Sequence, residues 1–561
     1  MELMVGELDI FQPSLIQTSV IGGDWQNYLP VQAITKDGPI QFSVPGQGSS
    51  YFDLNKTLLY VRFKVTDSLT GEKLDADAEF SLKNNVLNTL FADVKLEFNQ
   101  TTVSHSNHMN HYRSYLELSY NFNATAKKTH LTSALYYQDT AGAFNDLTSV
   151  PNKKRKSFVV DGKEVEVLGK LHCDMLAAGK YLLNNVDLRV TLTRNPASMV
   201  LLTGKDSKIV PQIDIQEAAL YVRKVKINPG ILVAHAQTLE SAVARYNYKR
   251  VEMLNFTISS GLQQKCVDNL FLNRIPSRLI FGLVKNSAFS GSYTESPFNF
   301  EHFDMNYIAL SVNGQTVGAA PYKPNFESGR SIRPYLFSFY GVGIHMTDDG
   351  FEVDREDFDK GYALYCYDLT GDLSSCESHL SIENQGSCRI ELGFAKPLPC
   401  VVNLIIYAEF PDCIESFQNL KRKLIPKEVV VITPKTVSKY YVKPSKPLSD
   451  LHRKERILIG WATRNYHNLD WYAGDVDISD LHYLLYCKTL SYEKIYTMGH
   501  EKALYFTEII GKPVEDLTRL GCPNMRRNLG PACSLHSKTT AHCAETDAQF
   551  LAKWIAENLN E

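Results

Sequence analysis

The sequence has no apolar run long enough to cross a membrane. The longest notable run, VVNLIIYA at Val401–Ala408, is far below the roughly 20 residues that a spanning helix needs, and Asn403 interrupts it. The opening MELMVGELDIFQPSL carries acidic residues and lacks the apolar core of a secretory signal. These absences predict a soluble intracellular chain that is neither secreted nor bound to a membrane.

The sequence also lacks a disulfide framework and a dominant charge. Its 11 Cys are an odd number without a C-x-x-C pair, which is typical of reduced thiols in a chain without an export signal. The net charge of −3 over 561 residues excludes a histone-like nucleic-acid binder as a whole, although not a local basic patch.

The residues that are abundant favour β-structure. The chain contains 30 Tyr and 27 Phe, which suit strands, and 32 Gly and 23 Pro, which suit turns. Apolar and polar residues alternate at Val94–Asn99 and again at Leu188–Thr193, which is the period of a half-buried strand. A chain of this length also predicts two to four domains, by the roughly 150 residues typical of one.

A weak internal repeat divides the first part of the chain. VKLEFNQTTV at Val94–Val103 and IALSVNGQTV at Ile308–Val317 match at four positions, including Asn99 and Asn313. The repeat predicts two copies of one all-β unit, unless two unrelated hairpins resemble each other by chance. Asn313-Gly314 also predicts a type I′ hairpin turn, because both residues tolerate positive φ.

Net charge and the spacing of apolar residues mark the domain boundaries. Residues 416–561 carry 21 Lys+Arg against 16 Asp+Glu, a net charge of +5, whereas the preceding residues carry −8. Helical spacing at 231–244 predicts a connector helix. We therefore expect a first β-unit at 1–230, a second at 245–415, and a separate tail at 416–561.

Several segments of the body resemble a known family: FQPSLIQTSVIGGDWQNYLPVQAI near the start, then NNVLNTLFADVKLEFNQTTVS, HYRSYLELSYN and the closing CVVNLIIYAEFPDCIE. They are similar to the double jelly-roll major capsid protein of Maverick/Polinton elements and adintovirus-like viruses, over about residues 9–415. The resemblance implies two eight-stranded jelly rolls per chain. It also implies pseudo-hexagonal homotrimers that meet neighbouring capsid proteins in a virion, and no enzymatic activity.

The tail differs in kind from the body. Its strand-like KEVVVITP and KYYVKP, followed by helix-like stretches, predict an α/β order. His542 and Asp547, five residues apart, resemble the third motif of DEDDh-type exonucleases of the ribonuclease-H-like fold. The resemblance implies that His542 is a general base and that Asp547 binds metal.

The remaining exonuclease motifs are broken. Cys413 stands where the first motif needs Asp, and the second motif, expected near Glu501, has no well-placed Asp. Because a two-metal site needs several converging carboxylates, we expect an inactive remnant.

The tail offers two candidate binding sites, one for zinc and one for nucleic acid. Cys522, Cys533, His536 and Cys543 offer the thiolate and imidazole ligands that zinc prefers, although the alternative is idle thiols. No other cofactor is expected.

In the body, we expect the three histidines of SHSNHMNHY (His105, His108 and His111) to lie in a polar loop rather than a metal site.

A basic strip opens the tail. Lys421, Arg422, Lys423 and Lys427 are candidates for nonspecific contact with nucleic-acid phosphates, but the preferred interpretation is a solvated linker and strand edge.

The preferred hypothesis is a structural capsid subunit with an exonuclease-like tail. One alternative is a DEDDh-type 3′–5′ exonuclease with a jelly-roll scaffold. Another is a captured element gene that no longer assembles and is retained in a host genome.

Overall fold

The computed structural model describes residues 16–415, apart from 47, 49, 240, 241, 345, 349 and 378. In the tail it describes 428–443 without 434 and 435, most positions of 476–522, and 544–558. The chain forms two compact units, Met1–Gln418 and Asn419–Glu561.

The first half of the larger unit is an antiparallel β-sandwich. Its two four-stranded sheets have the orders β1-β10-β3-β7 and β2-β8-β5-β6, and β4 pairs with β9 beside them. The strands are β1 (Val20–Tyr28), β2 (Ile40–Val44), β3 (Ser50–Asp67), β4 (Phe80–Leu82), β5 (Phe91–Phe98), β6 (Thr101–Ser104), β7 (Val165–Lys170), β8 (Leu188–Arg194), β9 (Leu201–Thr203) and β10 (Pro211–Ile227).

The second half repeats this topology. Its sheets have the orders β11-β20-β14-β17 and β12-β19-β15-β16, and β13 pairs with β18. The strands are β11 (Arg245–Ile258), β12 (Gln264–Val267), β13 (Arg274–Ile275), β14 (Arg278–Lys285), β15 (Met305–Val312), β16 (Gln315–Thr316), β17 (Leu364–Asp368), β18 (Asn384–Gln385), β19 (Cys388–Phe394) and β20 (Val402–Glu415). The predicted pair of eight-stranded jelly rolls is confirmed, because each of the eight strands in the two four-stranded sheets of one half has a counterpart in the other half.

The internal repeat falls on equivalent hairpins, β5–β6 and β15–β16. Both turns place two residues at positive φ: Asn99 (46°) and Gln100 (67°), then Asn313 (52°) and Gly314 (79°). The Asn side chain also accepts an equivalent hydrogen bond in each hairpin. Asn99 Oδ1 accepts the N–H of Asp187 at 2.8 Å, just before β8. Asn313 Oδ1 accepts the N–H of Ser387 at 2.9 Å, just before β19.

Helices occupy the connections between strands, and most are short. In the body they are α1 (Val86–Thr89), α2 (Asn110–Asn121), α3 (Ala124–Lys128), α4 (Val150–Lys156), α5 (Ala197–Val200), α6 (Pro229–Leu239), α7 (Asn286–Phe289), α8 (Ile332–Gly341) and α9 (Arg355–Phe358). Helix α6 joins β10 to β11 and overlaps the predicted connector at 231–244. No helix among the described residues is long and apolar enough to span a bilayer.

Each sandwich encloses its own hydrophobic core, and the two cores exchange residues. Strand β5 buries Val94, Leu96 and Phe98 completely, as the alternation predicts. Tyr112 and Tyr115 of α2 belong to the first half of the chain but pack into the second core. Tyr246 and Tyr248 of β11 pack in return into the first core. The two sandwiches are therefore interlocked.

The smaller unit mixes strands and helices, which agrees with the predicted α/β order. It contains β21 (Glu428–Ile432), β22 (Val437–Lys443), β23 (Val476–Asp477), β24 (Ile495–Thr497) and β25 (Val514–Asp516), with helices α10 (Ile478–Thr489) and α11 (Ala544–Asn558). Strands β21 and β22 are antiparallel, whereas β22–β23 and β24–β25 are parallel. A ribonuclease-H-like arrangement stays a prediction.

Candidate functional site: the seam between the two sandwiches

The first sandwich covers the outer edge of β11, the edge strand of the second. The covering segment is 171–187, which joins β7 to β8. Lys180 Nζ donates to the carbonyl of Arg245 at 3.1 Å, and the N–H of Leu183 donates to the hydroxyl of Tyr246 at 3.1 Å. Further along, the N–H of Val251 donates to Asp174 Oδ1 at 3.2 Å. We call this contact the seam.

Ion pairs are buried within the seam. Arg113 of α2 lies 2.9 Å from Glu117 Oε1 and 2.7 Å from Asp174 Oδ1, and all three side chains are largely buried. His172 Nδ1 contacts Glu117 Oε2 at 2.6 Å. Burial alone would raise the pKa of Glu117, but Arg113 and His172 together lower it to about 2. This carboxylate therefore stays ionised inside the protein.

A second set of buried charges continues the network into the other sandwich. Arg278 of β14 pairs with Glu409 of β20, and both side chains are almost completely buried. The hydroxyl of Tyr407 donates to Glu409 Oε1 at 2.6 Å and lies 3.4 Å from Glu117 Oε1. Arg278 also donates to Asn121 Oδ1 of α2 at 3.2 Å. The carboxylates and guanidinium groups thus link α2 to the second sandwich.

Two buried lysines bridge the same halves without a carboxylate in contact. Lys83 Nζ donates to the carbonyls of Ser198 and Ser292, each at 2.7 Å. Burial lowers the pKa of Lys83 to about 7, against the raising effect of Glu295.

Lys127 makes the second bridge. Its Nζ donates to the carbonyls of Ser119 at 2.8 Å and Phe351 at 2.5 Å. Burial lowers the pKa of Lys127 to about 8, although Glu352 raises it. Lys127 therefore ties α2 and α3 of the first half to the loop at Phe351 of the second, as Lys83 ties the first half to the loop at Ser292.

Aromatic packing fills the space beside these polar groups. Tyr115 of α2 stacks on Phe298 of the second half, with ring centroids 4.3 Å apart and planes at 11°. Phe300 lies 6.2 Å from both Tyr112 and Tyr115. Such pairs add to the free energy gained from burial itself. The seam is therefore packed like a protein interior.

The seam residues were not singled out from the sequence, although a signal was present. Glu409 interrupts the apolar run VVNLIIYAEF, Arg278 precedes the apolar run LIFGLV, and Glu117 sits among Tyr and Leu in HYRSYLELSYN. A charged residue inside an apolar strand or helix is rarely buried without a partner. The partners themselves lie up to about 300 residues away, so the sequence could mark the charges but not pair them.

The structure contradicts the assignment of Cys413 to the first exonuclease motif of the tail. Cys413, Ile414 and Glu415 lie at the end of β20, where Cys413 pairs with Asn247 of β11. They therefore belong to the closing strand of the second jelly roll, because the apolar run of β20 continues into this pairing. They are not the first strand of the tail, and Cys413 is no substitute for a tail carboxylate.

Most of the predicted tail sites fall outside the described residues. His542, Cys533, His536 and Cys543 lie there, as do Lys421, Arg422, Lys423 and Lys427. Asp547 is on α11. Cys522 is buried, and burial raises the pKa of its thiol. Among the described residues, no three His, Cys, Asp or Glu side chains are placed to hold a metal ion.

The histidine cluster of the body is divided by the structure. His105 and His108 lie in the loop before α2, as predicted. His111 does not, because it lies in the first turn of α2 and is buried. Burial, with the nearby Lys83, lowers the pKa of His111 to about 3.

Comparison with known proteins gives one curated relative and several solved structures. No family model matches the chain. The uncharacterized protein F54H12.2 of Caenorhabditis elegans is 21% identical over 425 residues, which cover 73% of this chain and 98% of the relative.

The similar solved structures are viral. The cryo-EM structure of the Sputnik virophage matches with a TM-score of 0.51 and 11% identity, over 84% of this chain and 96% of that chain. The crystal structure of the mavirus major capsid protein matches with a TM-score of 0.42 and 11% identity, over 82% and 97%. With the strand orders above, the Sputnik likeness shows the fold: the chain has the double jelly-roll fold of viral major capsid proteins.

Proposed function

We propose that this protein is a structural capsid subunit of a viral or Maverick/Polinton-type element. In this proposal it assembles as pseudo-hexagonal homotrimers that meet neighbouring capsid proteins in a virion. The observation that carries the proposal is the interlocked pair of sandwiches, joined by hydrogen bonds from Tyr407 to Glu117 and from Arg278 to Asn121. A shell subunit must transmit load between neighbours without hinging, and close-packed interiors transmit strain.

The buried charges of the seam do not form an arrangement suited to catalysis. The ionised groups of the seam, such as Glu117 and Asp174, are buried and already paired with Arg113. A structural role uses such groups, whereas general acid–base chemistry needs a titratable group within reach of a substrate.

Assembly is tested on the purified full-length chain. Light scattering across micromolar concentrations should give the mass of three chains, and negative-stain electron microscopy should show hexagonal outlines. A strictly monomeric chain at all these concentrations would contradict the proposal.

A second candidate is a capsid gene resident in an animal genome. The match to a nematode protein over almost its whole length favours this source. The two candidates share one fold, so they differ only in assembly. A transcript that spans the codons for residues 408–432 would also show that body and tail are made as one chain.

For the tail we propose an exonuclease-like remnant without appreciable activity. It is tested by incubating the full chain with labelled single-stranded DNA in magnesium or manganese. Turnover that is lost in both His542→Ala and Asp547→Asn would overturn this proposal and favour the exonuclease function.

Zinc bound through Cys522, and phosphate contact through Lys421, stay predictions. Metal analysis and salt-dependent DNA binding would test them.

A further inference from the structure

The seam within one chain is a head-to-tail contact. The first sandwich contributes segment 171–187, between its seventh and eighth strands, and the second contributes the edge strand β11. Different surfaces of two similar units therefore meet. A contact of this kind leaves one binding surface free on each unit, because each unit also carries a counterpart of the surface that the other one used.

Both unused surfaces are present, and among the described residues neither is hydrogen-bonded to the opposite sandwich. The counterpart of β11 is β1, which is also the edge of its sheet, and none of its nine residues is buried. The counterpart of segment 171–187 is segment 369–387, which lies between β17 and β19 and contains the two-residue strand β18. The first segment buries Leu171–Leu176 completely. In the second, the described residues are mostly exposed, with Thr370, Ser374 and Ser375 as the buried ones.

The two uncovered surfaces have apolar side chains in water. On β1, Ile21 and Trp25 are 64% and 48% exposed, and on segment 369–387, Leu373 and Ile382 are 50% and 87% exposed. Leu373 also has a φ of 57°, which an L residue other than Asn or Gly rarely adopts. An open strand edge with apolar side chains is a template for pairing with another chain.

Charge also matches between the two surfaces. Beside β1, the end of β10 carries Arg223, Lys224 and Lys226, which pair in register with Trp25, Asp24 and Gly22. Segment 369–387 carries three exposed acids, Asp372, Glu377 and Glu383. Opposite charges on two surfaces steer their association and disfavour pairing of either surface with itself.

We propose that β1 of one chain receives segment 369–387 of a second copy of this chain, repeating the seam between subunits. The proposal rests on the proposed capsid function and names the interface through which that assembly forms. Each chain then donates once and accepts once. Since a head-to-tail contact closes into a ring when its rotation allows, three chains would present six sandwiches around one axis.

The test uses the full-length chain with one charge placed on each surface. Trp25→Asp alters β1, and Ile382→Asp alters the segment at a highly exposed position, so its folding should be unaffected. Leu69→Asp is the matched control, because Leu69 is 72% exposed in the loop after β3. Light scattering at about 10 µM should show at least a tenfold loss of trimer in the first two variants, as expected for a charge at an interface anchor, and no loss in the control.

Mixing the two variants identifies the contact. Trp25→Asp keeps a working segment and Ile382→Asp keeps a working β1, so an equimolar mixture should form dimers that cannot close. Ile382→Asp that trimerises like the wild type would overturn the inference and indicate another partner for β1. A wild-type chain that is a monomer would overturn the proposed function, and the inference with it. A wild-type trimer whose variants are unaffected would overturn the inference alone.

Discussion

The two sandwiches share a topology but differ in what covers one sheet, the one that contains β10 in the first sandwich and β20 in the second. In the second, β20 is buried from Val402 to Phe410, and α2 of the first half contacts this sheet at Tyr407 and Arg278. In the first, the corresponding face is charged and in water, where Arg62 pairs with Glu164 and Glu217. Equal topology therefore does not give equal surfaces. The order of the strands sets where a face lies, and the neighbouring segment decides whether it is apolar.

The largest effect should come from a buried arginine compared with an exposed one. Arg113 and Arg62 each meet two carboxylates, but their side chains are 4% and 32% exposed. Arg113→Ala leaves Asp174 buried without its cation and Glu117 with only His172 beside it, so we expect a loss of about 3–5 kcal/mol in the free energy of unfolding. Arg62→Ala should leave the urea midpoint nearly unchanged. Equal losses in the two variants would mean that the seam is no more than a surface contact.

A second effect, spread over several pH units, should appear as a pH dependence of the seam. Lys83 has a pKa of about 7 in the fold and about 10.5 when unfolded, so the unfolded chain binds more protons between those values. Stability should therefore rise with pH from about 7 to 10, by at most about 1.4 kcal/mol per unit from this group.

The control is Lys83→Met, measured by urea unfolding at each pH. Its slope should be shallower than that of the wild type over the same window, while the contribution of Lys127 remains in both proteins. Parallel slopes would show that Lys83 keeps its charge without cost, and that the buried bridge is more hydrated than its contacts indicate.

The smallest effect should be equal in the two halves. Asn99→Ala and Asn313→Ala each remove the acceptor for one N–H and the residue that tolerates positive φ in the turn. We expect each to cost about 1 kcal/mol in the free energy of unfolding. Gln315→Ala, at an exposed position of β16, is the control and should cost little. A large loss in only one of the two hairpins would show that their tasks are not equivalent.

Much of the body could be predicted from local pattern. The alternation at Val94–Phe98 and the Asn-Gly turn at Asn313 mark strands and a hairpin, because side-chain direction and turn φ are properties of a few neighbouring residues. The repeat identified the one hairpin that both halves share. His111 was misjudged, because a polar stretch can enter a helix whose N-terminal turn is buried by a distant part of the chain.

The tail was less predictable. Short motifs such as His542 and Asp547 suggest a chemistry, but the motif sought at Cys413 belongs to another element. A single carboxylate or cysteine identifies no site until the fold brings its partners to it. Spacing along the chain cannot supply that information when the partners are on different strands.

By itself, the sequence determined the β-rich class, the two similar halves, the Asn-led hairpins and the change of character after residue 415, because each follows from periodicity or composition. Tertiary structure alone decided that segment 171–187 covers β11, that Arg113 meets Asp174, and that no described strand pairs with the outer edge of β1. These pairings join residues far apart in the chain. Their free energy depends on burial and on complementary partners, which exist only once both sandwiches have formed.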